Sequence, residues 1–215
     1  MSRALGLTVL ADHLAATQGA ARRLVAIAGA PGSGKSTFVE ALREALAGRV
    51  ASEVLSMDGF HFDDIVLNAR GHRPRKGAPH TFDVGGLAAT LVRLVADDGS
   101  EIAVPVFDRS IEIARAGARI IQPEARLVIT EGNYLLLDDP AWAPLRHFFD
   151  MTVFLDVPEA MLEERLRARW TGYQLDAEAI RTKLEENDLP NARLVAGSSV
   201  PADMTVANYD LAAPE

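Results

Sequence analysis

Leu24-Val25-Ala26-Ile27-Ala28-Gly29-Ala30-Pro31-Gly32-Ser33-Gly34-Lys35-Ser36 is the stretch on which the rest of this chain depends. Leu24–Ala28 is a short, unbroken apolar run, the pattern of a parallel strand buried on both faces. Gly29–Ser36 fits G-x-x-x-x-G-K-[ST], in which small residues let backbone N–H groups turn inward around phosphates. After it Phe38, Leu42, Ala45 and Leu46 recur at helical spacing, so the pattern opens a helix whose N-terminus favours an anion. Strand before and helix after make a phosphate cradle of Gly29, Ala30, Pro31, Gly32, Ser33 and Gly34, with Thr37 beside it. Lys35 would reach the β- and γ-phosphates of a nucleoside triphosphate, and the Ser36 hydroxyl would ligate Mg²⁺.

Outward from this stretch, helices and strands alternate. Leu7, Leu10, Ala11 and Leu14 predict an amphipathic helix within residues 1–20 that packs on the outside of the domain. A second strand is expected at Val54–Met57, ending at Asp58. Residues 59–79 are polar, basic and rich in Gly and Pro, which predicts a long loop with one helical turn near 63–68. Leu87, Leu91, Leu94 and Val95 mark a helix closed by Asp97-Asp98-Gly99. Residues 102–107 and 112–121 read as a small antiparallel ribbon. Further strands are expected at 127–130, ending at Glu131, at 151–155, ending at Asp156, and at 204–207. Pro158 opens a helix through about Arg169, and another covers 176–196 with a kink or break at Pro190. Alternation of this kind predicts a three-layer α/β/α domain around a parallel sheet.

Ligands gather at the carboxyl ends of strands in such sheets. Asp58 and Glu131 stand at such ends. Asp58, within Met57-Asp58-Gly59-Phe60-His61, is placed to take a proton from an attacking hydroxyl, and Glu131 to help hold Mg²⁺. Asp156 reads instead as the cap of the next helix. Arg165 and Arg169, four residues apart, share a helix face that a triphosphate would attract, while Arg167 either joins them over the phosphates or pairs with Glu163 on a solvated face. Phe82-Asp83 and Phe107-Asp108-Arg109 set an aromatic beside a carboxylate, a combination suited to a polyol or nucleoside. The basic run Arg70–Lys76 reads as a solvated loop, with an anion-holding role as the alternative.

Bulk properties exclude several classes. The net charge of −8 argues against a nucleic-acid surface, and the absence of cysteine excludes disulfides, thiolate metal sites and cysteine nucleophiles. Asp12 and His13 interrupt the N-terminal apolar stretch, and no run is long enough to span a bilayer, so a cytoplasmic location without a membrane partner is expected. Oligomeric state stays open, a homodimer included.

In order, these motifs resemble the uridine kinase, phosphoribulokinase and bacterial pantothenate kinase group. Residues 57–63, 75–83, 130–137 and 187–191 (Met57-Asp58-Gly59-Phe60-His61-Phe62-Asp63, Arg75 through Asp83, Thr130 through Leu137, Asn187-Asp188-Leu189-Pro190-Asn191) look nearest to a branch whose members are labelled fructose-transport-system kinases. The resemblance spans about residues 20–210. It implies one P-loop domain over 1–215 with five parallel strands, acceptor-side loops at 59–82 and 105–121, and a lid at 158–175. It also implies an ATP- and Mg²⁺-dependent transfer to an alcohol of a small molecule. Asp58 would be the catalytic Asp, Lys35, Arg165 and Arg169 the transfer cations, and Glu131 the strand-end acid. His61, Phe82, Asp83 and Arg109 would line the acceptor, and Asn187 and Asn191 would close over the nucleotide. A clear uridine-kinase Tyr-Asp-Phe run is absent, as are the pantothenate-kinase tyrosines. A sugar such as fructose is therefore the first acceptor expected, a nucleoside the second. The reading of another class is an ATP-binding regulatory switch; no Asn-Lys-x-Asp guanine motif is present.

Overall fold

The computed structural model describes residues 3–17 and 19–209, so the ends of the expected 1–215 unit lie outside the described residues. β1 (Arg23–Gly29) is the middle strand of a sheet whose other members are β2 (Ser52–Ser56), β5 (Leu127–Gly132), β6 (Met151–Asp156) and β7 (Met204–Ala207). All five run parallel in the order β2-β5-β1-β6-β7. Alternate β1 side chains enter different cores because successive residues point to opposite faces. Val25 and Ile27 pack with Phe38, Leu42 and Leu46 of α2 (Lys35–Leu46) and with Leu10 and Leu14 of α1 (Arg3–Ala16). Leu24, Ala26 and Ala28 face the layer holding α4 (Val84–Ala96), α5 (Glu159–Gly172) and α7 (Leu189–Ser198). In α4, Leu87, Leu91 and Leu94 are buried, but Val95 is 54% exposed because the helix has turned it off the core face by then.

β3 (Ile102–Asp108) and β4 (Ile113–Ile121) form the antiparallel ribbon, with its register interrupted at Pro105, which has no N–H for the ladder. Residues Met57–Phe60 make a 3₁₀ turn directly after β2 and against this ribbon. Gly59 is required there: a Cβ at that position would lie 2.5 Å from the Pro105 carbonyl oxygen. This packing aims Asp58 from the sheet toward the ribbon.

The helical turn expected near 63–68 is present as the short helix α3 (Asp64–Ala69), capped by the Asp63 carboxylate, which accepts from the Ile65 N–H at 2.8 Å. Two other expectations change. The helix expected over 176–196 is split into α6 (Ala177–Lys183), a π turn at Leu184–Asp188, and α7. Pro190 sits in the first turn of α7, where its missing N–H costs nothing, and the wider π turn absorbs the interruption. Asp156 caps nothing. The N-cap of α5 is Pro158, without a side-chain cap, and the exposed Asp156 engages Asn208 N–H through its carbonyl instead. Among the described residues no helix is long and apolar enough to cross a membrane.

Candidate active site

The carboxyl ends of β1, β2 and β5 open into a cavity of about 630 Å³. One wall is the N-terminus of α2. Gly32 and Gly34 both have φ of 80°, the left-handed region that glycine enters freely, and the chain curls so that Ser33 N–H donates to the Ala30 carbonyl at 3.0 Å. Pro31, Gly32, Gly34, Lys35, Ser36 and Thr37 face the cavity. Gly29, Ala30 and Ser33 lie behind them and are not among its lining residues.

Lys35 is buried and its ammonium donates to the carbonyls of Gly29 (2.9 Å) and Ala30 (3.1 Å) and to Asn133 Oδ1 (2.6 Å). Burial lowers its pKa to about 8, against the opposing pull of Glu131 and Asp58. It therefore remains mostly charged at pH 7.

Asp58 and Glu131 stand across from that lysine. The Asp58 carboxylate accepts from Arg109 Nη2 at 2.6 Å. Burial raises the pKa of Asp58, but His61, Arg109, Lys35 and Arg169 together outweigh burial and hold it below the ordinary carboxylate range. Glu131 shifts the other way: burial first and then the nearby Asp58 raise it, although Ser56 Oγ donates to its Oε1 at 2.5 Å. Two acids so close together are pushed apart in acidity, Asp58 becoming the stronger acid and Glu131 the weaker.

His61 Nδ1 lies 2.8 Å from the Asp58 carbonyl oxygen. A carbonyl can only accept, so Nδ1 carries the proton and Nε2 of the neutral ring is left as an acceptor. Burial lowers the pKa of the ring, against the pull of Asp58. His61 also stacks with Phe82 (centroids 4.0 Å apart) and Phe107 (4.7 Å), giving the cavity an aromatic shelf.

On the far side α5 contributes Arg165, Arg169 and Trp170. Arg165 Nη2 donates to the Asn208 carbonyl at 3.0 Å, and the Arg169 guanidinium lies 4.9 Å from the Trp170 ring centre, its buried Nε without a hydrogen-bond partner among the described residues. Arg167 faces away, paired with Glu163 at 2.7 Å.

Three site expectations are corrected. Asp83 is exposed and does not line this cavity; its carboxylate caps α4, accepting from Gly86 N–H at 2.9 Å, because the free N–H groups of a helix start are its nearest donors. Asn187 and Asn191 line the cavity, but their amides are committed to the basic loop and not to the phosphate cradle. Arg75 donates to Asn187 Oδ1 at 3.2 Å and to Asn191 Oδ1 at 3.3 Å, and Asn187 Nδ2 donates to the Lys76 carbonyl at 2.8 Å. The basic loop is itself no solvated excursion: Arg73, Pro74, Lys76 and Gly77 line the cavity.

Asn133 and Asn208 were missed as site residues. Asn208 follows the last strand, is 3% exposed, and donates from Nδ2 to the Ser33 carbonyl at 2.5 Å. In a trans peptide the C=O of Ser33 and the N–H of Gly34 point oppositely, so this bond turns the Gly34 N–H away from Asn208. The sequence signal for both was a polar side chain just beyond a strand end, which is too common to single them out.

A glycine-rich loop between a strand and a helix, a buried lysine, two strand-end acids and arginines from a neighbouring helix define a P-loop kinase. Comparison with known proteins agrees. The profile of the Phosphoribulokinase / Uridine kinase family matches residues 24–167. A crystal structure of a "putative fructose transport system kinase" from Silicibacter sp. TM1040 superposes with a TM-score of 0.87 at 42% identity, covering 93% of this chain and 98% of that one. The uncharacterized protein YggC of Escherichia coli K12 is 37% identical over 188 residues (86% of this chain, 77% of that protein). A "putative uridine kinase" of Schizosaccharomyces pombe is 33% identical over 200 residues (88% and 85%). The chain belongs to the phosphoribulokinase/uridine kinase family and is an ATP-dependent small-molecule kinase.

Proposed function

We propose that this kinase moves the γ-phosphoryl group of ATP to a hydroxyl of a small polyol, a sugar or sugar derivative first. The observation that carries this reading is the ionised Asp58, held by Arg109 beside an aromatic shelf and across the cavity from Lys35. The name of the Silicibacter relative supports a sugar over the nucleoside suggested by the S. pombe relative.

The acceptor oxygen attacks Pγ, the bond from Pγ to the β,γ-bridging oxygen breaks, and ADP leaves. The proton of the hydroxyl passes to Asp58 and then to solvent. A carboxylate with a depressed pKa is a weak base, so Asp58 serves chiefly to orient the hydroxyl. That suffices, because a loose transition state asks little proton abstraction before the leaving bond has stretched. Lys35, Arg165 and Arg169 surround the transferring group with positive charge, and α5 acts as a lid carrying the two arginines.

The site suits Mg²⁺ as well. Ser36 presents an exposed hydroxyl at the cavity and Glu131 a carboxylate at the end of β5, while no group of three or more His, Cys, Asp or Glu residues among those described could hold a metal ion. An ion held here would draw most of its oxygens from phosphates and water, as Mg²⁺ in kinases does, and would neutralise charge on the β- and γ-phosphates.

The test is ADP release measured across sugars, sugar derivatives, nucleosides and vitamins. Strong stimulation by a polyol, lost in Asp58→Ala while ATP still binds, is the expected outcome. A flat response over the whole panel would favour a nucleotide-dependent regulator.

A further inference from the structure

Asp188 is a buried carboxyl group at the cavity wall to which the proposed phosphotransfer gives no task. It ends the π turn Leu184–Asp188, and single π turns within helices frequently mark functional sites. Neighbouring residues of this turn reach in different directions. Asn187 Nδ2 donates to the Lys76 carbonyl at 2.8 Å and its Oδ1 accepts from Arg75 at 3.2 Å, so the turn is tied to the basic loop. Tyr134 Oη donates to the Gly77 carbonyl at 2.6 Å, which ties that loop to the segment after β5. Asp188 reaches the lid instead: its Oδ2 accepts from Trp170 Nε1 at 2.6 Å. The lid is thereby fastened to a turn that is itself held from the sheet side.

Trp170 is no transfer group, but it stands next to one. The two cavity arginines of α5 are held differently. Arg165 donates to a backbone carbonyl, that of Asn208, at 3.0 Å. Arg169 Nε is buried without a hydrogen-bond partner among the described residues, and its guanidinium lies 4.9 Å from the Trp170 ring centre. Lys183 Nζ lies 4.5 Å from the same ring. A cation resting on an indole is directed only as well as the indole is. The indole turns about two side-chain bonds, and a hydrogen bond from its one N–H to a buried carboxyl group removes that freedom. Arg169 and Lys183 are also close enough to Asp188 to oppose, together with Trp170, the rise in its pKa that burial causes.

We infer that Trp170 and Asp188 are positioning residues for the transfer: their hydrogen bond locks the indole on which Arg169 rests and so sets the Arg169 guanidinium toward the transferring phosphoryl group. The inference rests on the kinase reading for the role of Arg169. A misdirected guanidinium would leave nucleotide binding in the ground state nearly intact. Its loss would be felt where charge develops, in the group in flight.

The test is binding of a mimic of that group. Calorimetry on the whole protein compares its affinity for ADP and Mg²⁺ with and without tetrafluoroaluminate, which stands in for the phosphoryl group in flight and requires no acceptor to be known. Trp170→Phe keeps a ring beside Arg169 and removes the N–H. It should weaken the fluoroaluminate complex at least about tenfold with ADP affinity unchanged, as misplacement of a charge-stabilising group does. Asp188→Leu should act alike, and Asp188→Asn, which keeps an oxygen for the indole, should restore most of the affinity. In the Arg169→Ala background Trp170→Phe should cost nothing more, because both act through one guanidinium. Trp170→Phe leaves the Asp188 carboxyl group without its donor, so melting curves accompany each variant. Trp170→Phe with Asp188→Leu, which lacks both groups, should show the same tenfold loss.

Losses that add in the Arg169→Ala background, or an equal weakening of ADP itself, would make the bond merely structural and overturn the inference. A loss in Arg169→Ala with none in Trp170→Phe or the double variant overturns it and leaves the kinase reading intact. A fluoroaluminate complex no tighter than ADP alone, or indifferent to Arg169→Ala, overturns the inference and the transfer role of Arg169 together.

Discussion

The two halves of the cavity are built by different means. The donor half is one continuous piece of backbone, residues 29–37, shaped by glycine torsions and by hydrogen bonds between near neighbours. The acceptor half is an assembly of side chains from distant segments: Asp58 and His61 from the turn after β2, Arg73 and Lys76 from the basic loop, Phe107 and Arg109 from the ribbon. A backbone cradle recognises a phosphate through N–H groups that every sequence possesses, so it needs only residues small enough to bend. Recognition of an acceptor needs particular functional groups at particular distances, and those are supplied by tertiary packing.

The largest expected effect separates the halves most sharply. Asp58→Ala should lower kcat about 10³-fold, because the attacking hydroxyl loses the group that orients it and then receives its proton, with the Kd for ATP nearly unchanged in a binding titration. Retained turnover would remove Asp58 from the mechanism. Lys35→Ala should lower kcat by about 10²- to 10³-fold, because charge on the transferring group goes unmatched, and undiminished steady-state turnover would count against the entire site.

Asn208 tests whether the donor half is truly self-contained. If its amide serves only to fill space, the isosteric Asn208→Asp should be harmless. As the donor that sets the Ser33 peptide, its replacement by a carboxylate places an oxygen against an oxygen. Asn208→Asp should then raise KM for ATP more than Asn208→Ala does, about tenfold or more, with the acceptor KM unaffected.

The pH dependence follows from Lys35. Its pKa of about 8 in the free protein should rise when phosphates arrive, so the charged form binds ATP better. Affinity for ATP should be flat below pH 8 and fall by up to about tenfold per unit above it. Constant affinity from pH 7 to 9.5 would contradict this assignment. Acceptor binding measured over the same range supplies the contrast. The smallest effect is on stability: Gly59→Ala drives a Cβ into the Pro105 carbonyl and should cost about 1–3 kcal/mol in denaturant unfolding, along with weakened acceptor use and intact ATP binding.

How far the halves could be read beforehand follows the same division. The cradle, its strand and its helix were legible because each rests on local pattern: an apolar run, small residues, helical spacing. The ribbon was legible from its extended apolar pieces. Asp83 misled because a carboxylate beside an aromatic looks the same whether it grips a ligand or caps the helix that follows. Asn187 and Asn191 misled because their partners, Arg75 and the Lys76 carbonyl, lie more than a hundred positions away in the chain. Arg73 and Lys76 read as solvated because nothing in their own stretch reveals that the loop folds back over Phe107.

By itself, then, the sequence determined the sheet-and-helix alternation, the phosphate cradle, and the placing of acids at strand ends, since all three depend on short-range periodicity and backbone torsion. Tertiary structure alone decided which polar groups meet in the acceptor half. It drove Asp58 and Glu131 apart in acidity, turned the Ser33 carbonyl onto Asn208, and set the Lys76 ammonium 5.4 Å from the Phe107 ring centre. Those outcomes depend on burial and on through-space charge, and neither is a property of any one stretch of chain.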